Sequence, residues 1–259
     1  RDYKVTGVQT CALPISKLGL GYSLHELKNA VTKVTTACFE PALDYITVKI
    51  PKWDLKKFKK VSKRIGPGMK SVGEVMAIGR NFEEAFQKAI RMVDPTYAGI
   101  SQNNAIRIPQ SELESLEPTD MRIFAIFKSL MMGTPIDEVH EKTRVDRWFL
   151  YKLENIVKIE RELLNCSRSP LTPNLLIKAK KAGYSDRQIA KILRINPKIL
   201  RQKRTSMKIF PAIKQIDTLG AEYPAQTNYL YSSYHGQFND LEPAAEGRSI
   251  DRKSTRLNS

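Results

Sequence analysis

Two stretches of the first hundred residues alternate between apolar and polar positions, as strands do. In 44–50, Ile46, Val48 and Ile50 share one side, and Pro51 is expected to end the strand. A second strand is predicted within 69–80, with apolar residues on both of its sides. We therefore expect both faces of this strand to be covered, with Glu74 directed into an apolar layer where its carboxylate needs a partner.

A period of three to four residues predicts helices around and after these strands. Asn81 is expected to cap a helix over 82–93, and Ser23 and Glu26 form a capping-box pattern before a helix over 24–30. The polar stretch 95–118 contains Gly99, Pro109 and Pro118, which indicates a boundary. The rest is expected to be helical, with helices over 121–132, from Thr134 and Pro135, from Asp146, over 173–182 and 186–193, and from Pro197.

Single aromatic and imidazole side chains in this helical part are expected to be structural. Trp148 is interpreted as a core anchor rather than a ligand platform. His140 has no other metal ligand at a suitable spacing, so a structural role is the better interpretation.

The segment 172–204 has the pattern of a helix-turn-helix. Its short helices are joined by tight turns, and the last carries Arg201, Lys203 and Arg204. Many small helical domains share this pattern, so it is a weak indication of nucleic-acid binding. The tyrosines that follow could stack on bases or fill an interdomain contact, and they are Tyr223, Tyr229, Tyr231 and Tyr234.

Composition excludes few classes of partner or function. The net charge of +16 is compatible with nucleic acid, an acidic membrane surface or anionic substrates, or with charge balanced elsewhere in a larger protein. Apart from Cys11, the cysteines are Cys38 and Cys166, too far apart in sequence for a metal motif and compatible with a reducing, cytoplasmic compartment. No apolar run approaches the length of a membrane span.

The two ends of the chain have an unusual relation. Residues 7–15 and 251–259 can be encoded by two nucleotide strings that are reverse complements of each other. The two strings resemble the opposite strands of one sequencing-library adapter. We interpret residues 1–16 and 251–259 as translated adapter and leave them out of the fold prediction.

Five segments in order resemble the large subunit of carbamoyl-phosphate synthetase, namely 39–45, 49–51, 69–80, 146–150 and 217–223. The resemblance implies an α+β fragment in which 17–97 is the C-terminal part of the carboxyphosphate-forming ATP-grasp domain. It further implies that 98–240 is an all-helical oligomerisation domain and that 241–250 is a linker. Glu74 and Arg80 would then belong to the structural core of the ATP-grasp domain, and Leu43 would line the internal carbamate tunnel.

The resemblance also implies what lies elsewhere in such an enzyme. An enzyme of this family uses ATP with Mg²⁺ or Mn²⁺. The metal ligands and phosphate-binding arginines of its first ATP-grasp domain precede the position that matches Lys17. We therefore assign no catalytic, cofactor-binding or metal-ligating residue in 17–250. The implied partners are a glutamine amidotransferase subunit or domain, the remaining ATP-grasp domains, and a second copy bound through the helical domain. A basic nucleic-acid-binding module centred on 186–204 is the alternative function.

The adapter interpretation makes a direct prediction. The codons of residues 7–15 and 251–259 should match the two complementary strings, and the nucleotide record of the gene checks this. Codons that differ from those strings would contradict the interpretation.

Overall fold

The computed structural model describes residues 8–29, 34–38, 42–53, 55–57, 60–101, 106, 108–166, 170–216 and 229–241. Structural statements below refer to these residues. Residues 1–7, 39–41, 217–228 and 242–259 lie outside them, and with them much of both adapter stretches and most of the expected linker. The resemblance segment 217–223, with Tyr223, lies wholly outside the described residues, and segment 39–45 lies partly outside them.

The first part of the chain forms a small helix-and-sheet unit. It consists of α1 (Val8–Gly19), a short 3-10 helix (Leu24–Glu26), β1 (Ile46–Lys52), a second 3-10 helix (Leu55–Lys57), β2 (Gly73–Gly79) and α2 (Phe82–Val93). β1 and β2 pair antiparallel, with Ile46 opposite Gly79 and Lys52 opposite Gly73. The side chain of Asn81 accepts a hydrogen bond from the backbone N–H of Glu84, which confirms the predicted cap of α2.

Within the described residues the sheet is covered on one face only, so these residues contradict the prediction of a strand covered on both faces. Val48, Ile50 and Ala77 lie on the face that packs towards the core, whereas Met76 on the other face is 52% exposed. Glu74 shares this open face, and its side chain is 61% exposed. The apolar residues of the open face misled the prediction, because an alternating pattern does not reveal whether a second layer is present.

Two predicted ends in this unit differ from the structure. The helix expected over 24–30 is a single 3-10 turn, because Lys28 instead forms an antiparallel bridge with Thr36. The predicted capping box of Ser23 and Glu26 is present. β1 continues past Pro51 to Lys52. An edge strand tolerates the missing N–H of a proline.

Seven helices follow within the described residues. They are α3 (Gln110–Ser115), α4 (Arg122–Met132), α5 (Ile136–Thr143), α6 (Arg147–Asn165), α7 (Pro173–Lys181), α8 (Asp186–Leu193) and α9 (Pro197–Ser206). Asp146 caps α6 and Ser185 caps α8, and both helices begin where they were predicted to begin. α3 was not predicted, and α5 begins one residue later than expected because Pro135 is its cap residue.

The long helix α6 is the centre of the core. Its buried residues include Leu150, Leu153 and Ile156, and the helix contacts α2, α4, α5, α7 and α8. Phe86 and Ile90 of α2 belong to the same buried cluster. The core therefore runs without a break across residue 97, where the domain boundary is predicted.

Trp148 is not the core anchor that we predicted. It lies in the first turn of α6 and remains 49% exposed, with its ring 5.6 Å from Phe82 and 5.0 Å from Phe149. A residue in the first turn of a helix can lie beyond the layer that covers the helix middle. His140 does have a structural contact, since its Nδ1 lies 2.8 Å from the carbonyl oxygen of Val145.

A hairpin closes the described chain, so residues 98–240 are not all helical as predicted. β3 (Ala212–Gln215) pairs antiparallel with β4 (Leu230–Ser233). β4 contacts β2 of the first unit, which brings the chain back to the sheet from which the helices started. With only four residues each, these strands give too short an alternation to be distinguished from a loop.

Gly183 gives a test of how closely α2 and the turn before α8 pack. Its φ is +83°, and a Cβ there would lie 2.8 Å from the Cα of Glu84. Gly183→Ala should lower the free energy of unfolding by about 3 kcal/mol, from left-handed strain plus the clash with α2. Urea denaturation measures this loss.

Gly133→Ala is the matched control. Gly133 also has a left-handed φ of +96°, but its added Cβ would have open space. Its expected loss is about 1 kcal/mol. Equal losses for the two variants would show that the close packing at Gly183 is not significant.

Candidate functional site

The buried carboxylate of Glu84 joins three elements of the fold. Glu84 is 1% exposed, and its Oε2 accepts hydrogen bonds from the backbone N–H of Arg80 and the hydroxyl of Ser233, both at 2.9 Å. The ammonium of Lys88, one turn further along α2, lies 2.8 Å from Oε1. Glu84 therefore connects the end of β2, the start of α2 and β4. We call this group the Glu84 joint.

Lys88 extends this joint to the backbone of both strands. Its Nζ donates to the carbonyl oxygen of Ile78 at 3.0 Å and to that of Ser232 at 2.6 Å. Beside it, Nε2 of His235 lies 3.1 Å from Nδ2 of Asn81 and 3.0 Å from the carbonyl oxygen of Lys181. The hairpin is thus held to the sheet and to α7 by polar contacts.

Two buried glutamines connect α2 to α8. Nε2 of Gln188 donates to Oε1 of Gln87 at 3.1 Å and to the hydroxyl of Ser101 at 3.0 Å, and Gln87 donates to the carbonyl oxygen of Ala182 at 3.3 Å. A Cβ at Gly99 would lie 2.2 Å from Oε1 of Gln188. Gly99, which we interpreted only as a chain breaker, is therefore also needed for the close approach of this amide.

A second ionic group centres on Asp186 at the start of α8, and we call it the Asp186 joint. Its Oδ1 lies 2.8 Å from Nζ of Lys180, and its Oδ2 lies 3.2 Å from Nε of Arg204. Lys180 and Arg204 also donate to the carbonyl oxygens of Tyr184 and Ile209. The two cations are 6% and 8% exposed, so charge and hydrogen bonding must be satisfied within the protein.

Burial dominates the electrostatics of the Asp186 joint. It lowers the pKa of Lys180 to about 8, because the ammonium loses hydration that Asp186 only partly replaces. Burial also acts to raise the pKa of Asp186, but the nearby charges of Lys180 and Arg204 outweigh it and hold that pKa below its usual value. The ring of Tyr234 lies 4.9 Å from the ammonium of Lys180, which ties the hairpin to this joint as well.

The helix-turn-helix pattern has a structural explanation in this joint. The three helices form as predicted, but Arg204, one of the three basic residues noted on the last helix, is buried and bound to Asp186. A side chain that neutralises a buried carboxylate is unavailable to a phosphate group. Part of the basic character of α9 therefore serves the fold.

The predicted site residues lie near the sheet but do not form one cluster. Leu43 is 52% exposed, Glu74 pairs with Lys49 at 2.7 Å on the open face, and Arg80 pairs with Asp44 at 2.9 Å. The expectation that Glu74 points into an apolar layer is wrong, because the sheet has no second layer on that side among the described residues. The roles expected for Leu43, Glu74 and Arg80 remain predictions.

A surface cleft of about 490 Å³ lies between α2, α6 and α7. At its base, Glu83 is 6% exposed and accepts a hydrogen bond from Nδ2 of Asn155 at 2.9 Å. The other polar side chains around it are the amides of Asn81 and Asn174 and the ammonium groups of Lys178 and Lys181. This lining offers hydrogen bonds and charge but no nucleophile with an adjacent base.

The described part of the chain contains neither a metal-binding cluster nor a membrane-spanning helix. No group of three or more histidine, cysteine, aspartate or glutamate side chains there could hold a metal ion. None of the helices there combines the length and the apolar character needed to cross a membrane.

The sequence prediction missed the polar side chains of both joints. Glu84 and Lys88 lie four residues apart on α2, a spacing that also suits an exposed helix pair. Their partners on β4, Ser232 and Ser233, are 144 and 149 residues away along the chain. The local sequence gives no indication of such contacts.

The pKa of Lys180 predicts how stability changes with pH. At pH 7 the folded and unfolded states both carry the charged ammonium, and its burial costs stability. Between about pH 8 and pH 10 the folded protein loses this proton while the unfolded chain retains it, so the free energy of unfolding should rise relative to Lys180→Met. Urea denaturation of both proteins across this range measures the difference. Lys63→Met, at an exposed site, should follow the wild-type profile.

Comparison with known proteins identifies the family. A family model described as the carbamoyl-phosphate synthetase large chain, oligomerisation domain, matches residues 74–208. The chain is 48% identical over 238 residues to multifunctional protein pyrABCN of Emericella nidulans, which covers 92% of this chain and 10% of that protein. It is 48% identical over 241 residues to the carbamoyl phosphate synthase arginine-specific large chain of Cutaneotrichosporon cutaneum, covering 92% of this chain and 20% of that protein.

A third relative differs in its stated location. The arginine-specific large chain of Neurospora crassa, named as mitochondrial, is 48% identical over 249 residues, which is 95% of this chain and 21% of that protein. The chain thus spans between a tenth and about a fifth of the length of these relatives. The length of the match, its identity and the fit of the family model over more than half of the chain together show that this chain belongs to the carbamoyl-phosphate synthetase large-chain family.

Proposed function

We propose that this chain is the scaffold part of a carbamoyl-phosphate synthetase large chain. The longer enzyme would use ATP to make carbamoyl phosphate from bicarbonate and glutamine-derived ammonia, for arginine and pyrimidine biosynthesis. The family membership supports this, and so does the continuous core from α2 to α9, because such a core can hold other domains at fixed positions.

In this proposal, residues 17–97 complete the carboxyphosphate-forming ATP-grasp domain and residues 98–240 form the oligomerisation domain. The first part contains the pair β1–β2 with α2 on one face, and the oligomerisation-domain match begins within it at residue 74. The open face that carries Met76 and Glu74 would be covered by residues from elsewhere in the longer protein. Leu43 would line the carbamate tunnel, and Arg80 with its partner Asp44 would fix the turn before α2.

ATP and its Mg²⁺ or Mn²⁺ do not fit the described residues. The helix that follows β2 begins with Glu83 and Glu84, whose negative charges repel phosphate at a helix N-terminus. Asn81 already caps that terminus and Glu84 is bound within its joint. As the family resemblance implies, we assign the phosphate and metal ligands to the part of the enzyme that precedes the position matching Lys17.

The proposed partners are the glutamine amidotransferase subunit or domain, the remaining ATP-grasp domains, and a second copy of the helical part. We propose a cytoplasmic location because the two remaining cysteines, Cys38 and Cys166, are compatible with a reducing compartment. One of the relatives described above is named as mitochondrial.

Activity measurements test the proposal. Purified 17–250 should show negligible bicarbonate-dependent ATP hydrolysis, because the phosphate and metal ligands are proposed to lie elsewhere in the enzyme, whereas the full-length protein should turn over ATP with bicarbonate and glutamine. Release of inorganic phosphate, with and without bicarbonate, measures both reactions. Clear turnover by 17–250 would contradict the scaffold role, and a full-length protein inactive with these substrates would contradict the enzyme assignment.

Sedimentation of 17–250 tests the proposed self-association, because this segment retains α2, which shares the core of the helical part. We expect an oligomer whose fraction increases with protein concentration. A segment that stays monomeric at every concentration, yet binds duplex DNA with a steep salt dependence, would favour the nucleic-acid-binding alternative.

A further inference from the structure

The cleft between α2, α6 and α7, which we call the Glu83 cleft, is lined by a buried carboxylate with one unused oxygen. Glu83 is 6% exposed, and its Oε1 accepts the hydrogen bond from Asn155. Its Oε2 forms no hydrogen bond within the described part of the chain. A carboxylate with so little access to water needs partners for both oxygens, so Oε2 is available to a ligand in the cleft.

No cation of the described residues neutralises Glu83 at hydrogen-bonding distance. The ammonium of Lys152 lies 3.8 Å from Oε1, and the same group lies 5.1 Å from the centre of the Trp148 ring. The side-chain amide of Asn155 points its Nδ2 at Glu83, and its oxygen adds a second acceptor beside the carboxylate. This side of the cleft is therefore suited to an ammonium group, which donates charge-assisted hydrogen bonds to such acceptors.

The α7 side of the cleft carries positive charge. Lys178 and Lys181 line it, and Lys178 is bound to Glu162. Lys181 is exposed and forms no ion pair with a carboxylate of the described residues, Glu83 included. The cleft thus separates two opposite charges that are both left without a close partner. A ligand with a single charge would be attracted by one side and repelled by the other.

The space between these charges has apolar walls. Ile159, which is 6% exposed, and the partly buried Ile177 both line the cleft. Its volume of about 490 Å³ is sufficient for a small molecule. An aliphatic group would bury its surface against these two side chains.

We propose that the Glu83 cleft binds a free aliphatic α-amino acid. The ammonium group of the ligand donates to Oε2 of Glu83 and the amide oxygen of Asn155, its carboxylate accepts from Lys181, and its side chain contacts Ile159 and Ile177. In a peptide the two charges lie at opposite ends of the chain, so a free amino acid is the compact ligand that carries both. The inference goes beyond the proposed function and does not rest on it.

Three ligands that differ by one charged group test the site. L-Leucine has both charges, 4-methylpentanoate lacks the ammonium group, and 3-methylbutylamine lacks the carboxylate. NMR titration of the purified protein should show saturable shifts at the side-chain amides of Asn155 and Asn174, which line the cleft. L-Leucine should bind roughly tenfold more tightly than either analogue, since each analogue loses one charge-assisted contact.

Two variants separate the roles of the two charges. Glu83→Gln keeps an acceptor for Asn155 and should remove the preference for L-leucine over 4-methylpentanoate only. Lys181→Gln should remove the preference for L-leucine over 3-methylbutylamine only. General damage to the fold would weaken all three ligands together. Glu117→Gln/Lys63→Gln makes both kinds of change at exposed sites outside the cleft and should leave all three affinities unchanged.

The wild-type titrations decide the matter even where a variant does not fold. An absence of saturable shifts at the cleft up to the solubility limit of L-leucine would overturn the inference. So would an analogue that binds the wild-type protein as tightly as L-leucine, because one of the two charges would then have no role. Saturable shifts confined to residues outside the cleft would place the binding elsewhere and contradict the assignment equally.

Discussion

The neutralisation of one buried carboxylate determines how the parts of this fold meet. Glu84 has almost no contact with water, so its charge must be met by groups of the protein. Those groups come from the turn after β2, from α2 itself and from β4. Leaving such a carboxylate without its partners would cost roughly 3–5 kcal/mol, a large share of the stability of a domain. The hairpin must therefore dock at this position for the start of α2 to be stable.

The Asp186 joint applies the same constraint on the other side of the hairpin. The ring of Tyr234, which follows β4, lies 4.9 Å from the ammonium of Lys180 and 5.8 Å from the guanidinium of Arg204. Its neighbour Ser233 bonds to Glu84, so one short segment contacts both the Asp186 joint and the Glu84 joint. Buried ion pairs add little net stability compared with apolar packing, but they exclude arrangements that leave a charge unpaired. We infer that the two joints mainly fix the position of the hairpin relative to α2, α7 and α9.

Local signals were sufficient to predict many elements of the fold. Asn81, Asp146 and Ser185 cap their helices because a side-chain oxygen reaches an N–H two or three residues away, and that chemistry is visible in sequence. Solvent exposure was harder to predict. The open face at Glu74 and the exposed ring of Trp148 depend on whether another layer covers them, which the pattern along one element does not contain.

The two joints of the candidate site could hardly be predicted from the sequence, because they also depend on contacts between distant parts of the chain. Gln188, a partner of Gln87, and Ser233, a partner of Glu84, lie 101 and 149 residues further along the chain. Only the family resemblance reached beyond local chemistry, and it correctly predicted the family without indicating either joint. Long-range polar contacts depend on the completed packing of helices, so residue type and spacing could not predict them.

The return of the chain to its starting sheet has a consequence for how this region can change. The helices depart after Val93, and β4 comes back beside β2, so the entrance and exit of the helical unit are neighbours. The helices between these two points can therefore be lengthened, shortened or replaced while the two points of attachment stay in place. Tension between the flanking regions would likewise be carried across the narrow base at Glu84 and Ser233, and the helices themselves would bear little of it.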